Sequence, residues 1–275
     1  MADLDQRPPV TLCGSLSLHP VALGMAMHRA GYEALGLPFT YVAFACQDLD
    51  GALCGMRALG IRGFGISMPY KLEVIPLLDR MDELTRRIGA VNTIVNDAGV
   101  LTGYNTDASG SMRALREATD IAGKRVVVIG AGGAARAVAF ALVHEGAHVH
   151  IVNRTREKGE QLARELDASA GGLEDLRELR EVAALVNCSS AGMAEYGSAS
   201  PVPEDALVPQ TVVMDIVYKP ITTELLRAAE RRGCKTVHGG RMLLYQACGQ
   251  FELYTGRPAP VEAMDAALER AMASV

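Results

Sequence analysis

Residues 126–136, VVVIGAGGAAR, join a short apolar β-branched run directly to a glycine-rich turn. Gly130, Gly132 and Ala135 stand at the three positions of the G-x-G-x-x-G/A fingerprint. Gly130 permits the tight turn, Gly132 lets the backbone approach a pyrophosphate, and Ala135 allows a helix to lie close on its sheet. The helix expected from about Ala134 to His144 aims its positive N-terminus and free N–H groups at that anion. A second strand-like segment, AHVHIVN, follows the turn at the spacing a βαβ unit requires. Its end reads Asn153-Arg154-Thr155-Arg156, with Lys158 just beyond. NAD sites of this kind usually place Asp or Glu there for the ribose 2′-hydroxyl. A cationic cluster suits a 2′-phosphate instead, which Arg grips bidentately, so NADP is the expected cofactor.

A second group of polar residues lies in the first half of the chain. Gly14-Ser15-Leu16-Ser17, Ser67-Met68-Pro69-Tyr70-Lys71, Val91-Asn92-Thr93 and Tyr104-Asn105-Thr106-Asp107 each follow a strand-like segment. Open α/β sheets place their ligand crevice at such strand ends. Hydroxyl and amide donors of this sort fit a substrate that carries a carboxylate and hydroxyls.

Both groups need a scaffold of alternating strands and helices. VTLCG (10–14), TYVAF (40–44) and GFGISM (63–68) are strand-like, the last halted by Pro69. Pro20 suits the first turn of a helix through Met25, Met27 and Ala30. Asp48 caps a helix that ends near Gly60. Residues 72–88 and 107–122 are expected to be helical. VNTIVN and VLTGYN flank the turn Asp97-Ala98-Gly99, a hairpin signal. VVVIG, HVHIVN, ALVNCS and VVMDIVY supply further strands, and the tail from Arg241 is helical. The fold class is therefore α/β with two domains. An N-terminal α/β substrate domain spans 1–105, a Rossmann-like NADP-binding domain with a parallel sheet spans 106–238, and C-terminal helices (239–275) return to the substrate domain.

Composition narrows the function classes. A net charge of −5 gives no electrostatic footprint for nucleic acid or an anionic membrane. The opening MADLDQRPPV lacks the basic-then-apolar layout of a signal peptide, and no uncharged apolar stretch is long enough to span a bilayer. Cysteines at 13, 46, 54, 188, 234 and 248 show no CxxC or Cys/His pattern. Buried, inert thiols in a reducing cytoplasm are expected, with neither a disulfide framework nor a metal site.

At this point the chain resembles the shikimate dehydrogenase family, over nearly its whole length. The carriers are GFGISMPYK, GAVNTIVN with YNTD, GAGGAAR with NRT, NCSSAGM, and MLLYQACGQFELYTG, in family order. The resemblance implies NADP-dependent interconversion of 3-dehydroshikimate and shikimate by hydride transfer, by a monomer or homodimer. It implies Lys71 and Asp107 as the catalytic pair, the lysine serving as proton acceptor or as hydrogen-bond donor. Ser15, Ser17, Ser67, Asn92, Tyr218 and Gln246 are implied as substrate ligands. Cofactor contacts are implied for Gly130, Ala131, Gly132, Gly133, Ala134, Asn153, Arg154, Thr155, Lys158, Ser189, Met193 and Gly239.

Two departures bear on the substrate. The usual S-x-S-P reads Ser17-Leu18-His19-Pro20, so His19 stands where the family has a serine. The usual Asn-Val-Thr reads Gly65-Ile66-Ser67, which removes one amide. The opening GSLS resembles a shikimate dehydrogenase-like branch, so quinate or an amino-shikimate analogue is an alternative substrate. A non-catalytic NADP-binding protein on the same scaffold is an alternative of another class.

Overall fold

The computed structural model describes residues 9–177 and 181–273. Most of the opening stretch that lacks a signal-peptide layout, and the last two residues of the helical tail, lie outside them. The chain divides into two units. The first comprises residues up to Arg87, Val91–Thr106 and Ala247 onwards; the second comprises Ile88–Ala90 and Asp107–Gln246.

In the first unit β1 (Thr11–Ser17), α1 (Leu23–Ala34), β2 (Phe39–Ala45), α2 (Leu49–Ala58) and β3 (Gly63–Ile66) alternate. They are followed by β4 (Arg80–Met81), α3 (Glu83–Ile88), β5 (Thr93–Asp97) and β6 (Val100–Tyr104). The sheet order is β2-β1-β3-β5-β6-β4. β1 lies parallel to both β2 and β3, and β5 runs antiparallel to β3 and β6. The β5–β6 hairpin closes on Ala98 and Gly99, both at positive φ, as two-residue hairpin loops require. Leu16, Leu53, Met56, Phe64, Ile66, Ile94 and Leu101 form a core beneath this sheet. Asp48 caps α2 by accepting the Gly51 N–H at 2.9 Å.

Several local expectations give way here. β1 runs on to Ser17, so Ser15 and Ser17 belong to the sheet, because β2 and β3 pair with its backbone from either side. That extension delays the chain reversal, and α1 starts only at Leu23, leaving Pro20 outside its first turn. The helix expected over 72–88 is instead a turn, a 3₁₀ segment Ile75–Leu77, β4 and the short α3. Pro76 lacks the donor that a helix needs, and the Asp79 and Asp82 N–H groups bond Leu101 and Gly103 of β6. The helix expected over 107–122 ends at Arg116, and beyond it the Asp120 carboxylate takes the Ala122 N–H in an Asx-type turn.

In the second unit come α4 (Asp107–Arg116), β7 (Arg125–Ile129), α5 (Gly133–His144), β8 (His148–Val152), α6 (Arg156–Leu166) and β9 (Ser169–Gly171). Then follow β10 (Ala184–Asn187), β11 (Val212–Asp215), α7 (Glu224–Arg231) and β12 (Thr236–Val237). The sheet order is β12-β11-β10-β7-β8-β9, and every pairing in it is parallel. The unbroken Val/Ile run of β7 follows from burial on both faces. Val126 and Val128 enter one core, and Val127 and Ile129 enter the other.

α8 (Gly239–Thr255) begins in the second unit and passes to the first after Gln246, whereas the sequence places that transition at 239. Gly256, at φ 67°, ends it, and α9 (Val261–Met272) lies against α1. No helix among the described residues is long and apolar enough to cross a membrane. Five cysteines are buried; Cys54, on the outer face of α2, is exposed, contrary to the expectation of buried thiols throughout.

Candidate active site

In the first unit the implied substrate residues gather at one end of the sheet. Ser15 pairs in register with Gly65, and the Ser67 N–H bonds Leu16 O at 3.0 Å, so the ends of β1 and β3 carry their serines side by side. Ser15 hydrogen-bonds Tyr41, whose hydroxyl burial pushes above its usual range. Lys71 follows a turn in which Tyr70 N–H bonds Ser67 O. The Tyr70 hydroxyl donates to Cys46 O at 2.6 Å, and Lys71 O accepts the Val91 N–H at 2.8 Å. The backbone of the lysine is thus fixed from both sides.

Asn92 is 2 % exposed and held by several hydrogen bonds. Its Nδ2 donates to Thr106 Oγ1 at 2.9 Å, and its Oδ1 accepts Thr106 N–H at 2.8 Å and Thr93 Oγ1–H at 2.7 Å. Asn92 therefore holds the residue immediately before Asp107. Behind it, Gln250 Nε2 donates to Asn92 O and to Thr93 Oγ1, each at 3.2 Å. His28 Nε2 lies 3.4 Å from Gln250 Oε1, and its ring stacks on Tyr41 at 4.2 Å. Burial pushes the His28 imidazole down to about 3, so it is neutral near pH 7. Thr93 and Thr106 stand in the polar motifs without an assigned role, and Gln250 was not singled out; its signal is a second amide four residues after Gln246 in α8.

In the second unit Asp107 opens α4 and is buried. Tyr218 lies within its field: burial first, then the Asp107 charge, raises the tyrosine hydroxyl. Gly110, one turn into α4, lets α8 approach closely, since a Cβ there would sit 2.7 Å from Gln246 N. Asp107, Tyr218 and Gln246 are thus brought together by α4, the β11 exit and the start of α8.

The glycine loop has the form a pyrophosphate needs. Gly130 has φ 118°, a conformation other residues rarely adopt, and a Cβ on it would lie 3.1 Å from Cys188 backbone atoms. Gly132 is exposed with open space above it, and no side chain caps α5. Its first N–H groups, around Gly133 and Ala134, are therefore available to an anion. Asn153 Nδ2 donates to Thr155 O at 2.8 Å, bracketing Arg154. Arg156 is taken up by Glu160 and Glu174 at 3.1 and 3.3 Å. Among the described residues Arg154 and Lys158 make no ion pair, so the basic cluster is not uniform. Gly239 is buried at the start of α8.

The loop carrying Ser189 and Met193 is anchored by a carboxylate absent from the sequence-based set. Asp215, fully buried at the end of β11, accepts Asn187 Nδ2, Val217 N–H and Thr223 Oγ1–H at 2.9, 3.0 and 2.7 Å. Asn187 also donates to Ala191 O and accepts Ser189 N–H and Oγ–H. Burial outweighs these donors and pushes the Asp215 carboxyl up to about 6. The signal was present: a lone acid inside the apolar run VVMDIVY.

Comparison with known proteins shows the family. Residues 20–94 match the family model of the shikimate dehydrogenase substrate binding domain, and 113–215 match shikimate / quinate 5-dehydrogenase. Residues 239–269 match the shikimate 5′-dehydrogenase C-terminal domain. The chain belongs to the shikimate dehydrogenase family. A relative from Moorella thermoacetica, named shikimate dehydrogenase (NADP(+)), is 47% identical over 92% of this chain and 91% of its own. Two crystal structures of family members are also similar. A shikimate dehydrogenase in complex with NADP+ is 36% identical with TM-score 0.90, covering 96% of each chain. The Thermus thermophilus enzyme in complex with NADP(H) and shikimate is 38% identical with TM-score 0.87, covering 95% of this chain and 100% of that one.

Proposed function

We propose that the chain is an NADP-dependent shikimate dehydrogenase that interconverts 3-dehydroshikimate and shikimate. The observation that carries this is the uncapped, open N-terminus of α5, followed after β8 by Arg154, in a chain 47% identical to a protein named for that activity. Substrate binding is assigned to residues 1–105 with the C-terminal helices, and cofactor binding to 106–238.

NADP+, when bound, supplies the hydride acceptor. The α5 N–H groups with Gly130, Ala131 and Gly132 hold the pyrophosphate, and Arg154 with Thr155 and Lys158 meets the 2′-phosphate. Asn153 frames that loop, Ser189 and Met193 border the nicotinamide, and Gly239 lies in the same set. Ser15, Ser17 and Ser67 donate to the substrate carboxylate and hydroxyls, with Asn92, Tyr218 and Gln246. As the carbinol C–H bond breaks with its electron pair, the O–H proton passes to Lys71 Nζ. Asp107 orients that amine; in the reverse direction the same amine returns the proton. His19, exposed where the family has serine, retunes the substrate without removing the hydride chemistry.

The enzyme works in the cytoplasm, as suits cysteines that form no disulfide, acting as a monomer or homodimer without nucleic acid or membrane. The test is NADPH absorbance with shikimate, quinate and an amino-shikimate, each with NADP+ and NAD+. The highest kcat/KM falls to shikimate with NADP+. Preference for another acid, or equal use of NAD+, rejects the assignment in that part.

A further inference from the structure

We propose that Gln250 is a positioning residue of the substrate site, supplying from α8 the amide that β3 lacks at Gly65. The proposal rests on the reading of Asn92 as a substrate ligand.

Gly65 pairs in register with Ser15 on one side and Thr93 on the other. A Cβ on Gly65 would lie 3.0 Å from Gln250 Nε2, 3.3 Å from its Oε1 and 3.1 Å from the Tyr41 hydroxyl. The Gln250 amide therefore occupies the space that a side chain at 65 would claim. This is the position where the sequence loses an amide relative to its family.

The amide also carries a direction. Gln250 is 5 % exposed, and its Nε2 donates to Asn92 O and Thr93 Oγ1. A hydroxyl has one proton, and with Gln250 donating to its oxygen, Thr93 is left to donate onward to Asn92 Oδ1 at 2.7 Å. That assignment makes Asn92 Oδ1 an acceptor and turns Asn92 Nδ2 toward Thr106 Oγ1. The relay from Gln250 through Thr93 thus reinforces the Asn92 amide orientation that the Thr106 N–H, donating to the same Oδ1 at 2.8 Å, also requires.

Three variants separate this from plain packing. Gln250→Leu removes the donor, and Gln250→Glu keeps the shape but offers Thr93 an acceptor, reversing the relay. Gly65→Asn with Gln250→Ala moves the amide back to β3. Each is measured for shikimate KM and kcat, NADP+ KM, shikimate Kd by calorimetry, and Tm. The expected result is a shikimate KM and Kd raised about tenfold in Q250L and Q250E with NADP+ KM unchanged. The double variant recovers most of that loss, while Gly65→Asn alone is impaired by the clash with Gln250. Shikimate KM and Kd unchanged in Q250E, or shikimate and NADP+ KM moving together with Tm, overturns the proposal. A wild-type chain that fails to oxidise shikimate sinks the functional reading instead, which is a separate outcome.

Discussion

Asn187 Nδ2 donates to Asp215 Oδ1 at 2.9 Å, tying the end of β10 to the end of β11. The same amide closes on Ala191 O and Ser189, so the segment assigned to the nicotinamide hangs from one side chain. Asn187→Ala leaves Ser189 and Asp215 short of buried partners and lowers stability by about 2–3 kcal/mol. NADP+ KM rises more than shikimate KM in that variant. Denaturant melts and paired KM values check both parts.

Asp215 makes stability depend on pH in a direction opposite to that of an ordinary ion-paired acid. Its carboxyl titrates near 6 when folded and 3.8 as the unperturbed value, so between these the folded chain binds more protons than the unfolded one. Its contribution is complete below the lower value and is lost as pH rises through the upper one. Asp215→Asn removes the titration. The stability difference, wild type minus variant, shrinks by up to about 3 kcal/mol between pH 3.5 and 7. Urea unfolding of both chains across that range measures it.

The proposed phosphate ligand Arg154 and its neighbour Arg156 differ in their partners. Arg156 is held by Glu160 and Glu174, while Arg154 makes no ion pair among the described residues. Arg154→Ser raises NADP+ KM roughly 10- to 100-fold with little effect on NAD+ KM, the loss of a charge-assisted phosphate contact. Arg156→Ala changes either KM only about twofold, since exposed ion pairs are worth little. Steady-state kinetics with both cofactors separates the two arginines.

What the sequence made legible was what local chemistry dictates. The run from Val126 to Ile129 needs burial on both faces, and Gly130 needs positive φ, so strand, turn and helix could be read directly. The Ala98-Gly99 hairpin and the Asp48 cap were equally local. The segment 72–88 was not, because its apolar residues fit a helix until Asp79 and Asp82 find β6, a partner over 20 residues away. β9 and β12, three and two residues long, are too short to show a period. In the candidate site the motif residues were visible, but Thr106, Asp215 and Gln250 act through partners that only the fold supplies.

Lys71 is the group on which the proposed chemistry turns. The most direct measurement is single-turnover NADPH formation by Lys71→Ala with saturating shikimate and NADP+, alongside calorimetric binding of shikimate. The expected result is a rate lowered by about 10²–10⁴ with shikimate Kd changed only a few-fold. A rate equal to that of the wild type would contradict the assignment of Lys71 as the proton acceptor.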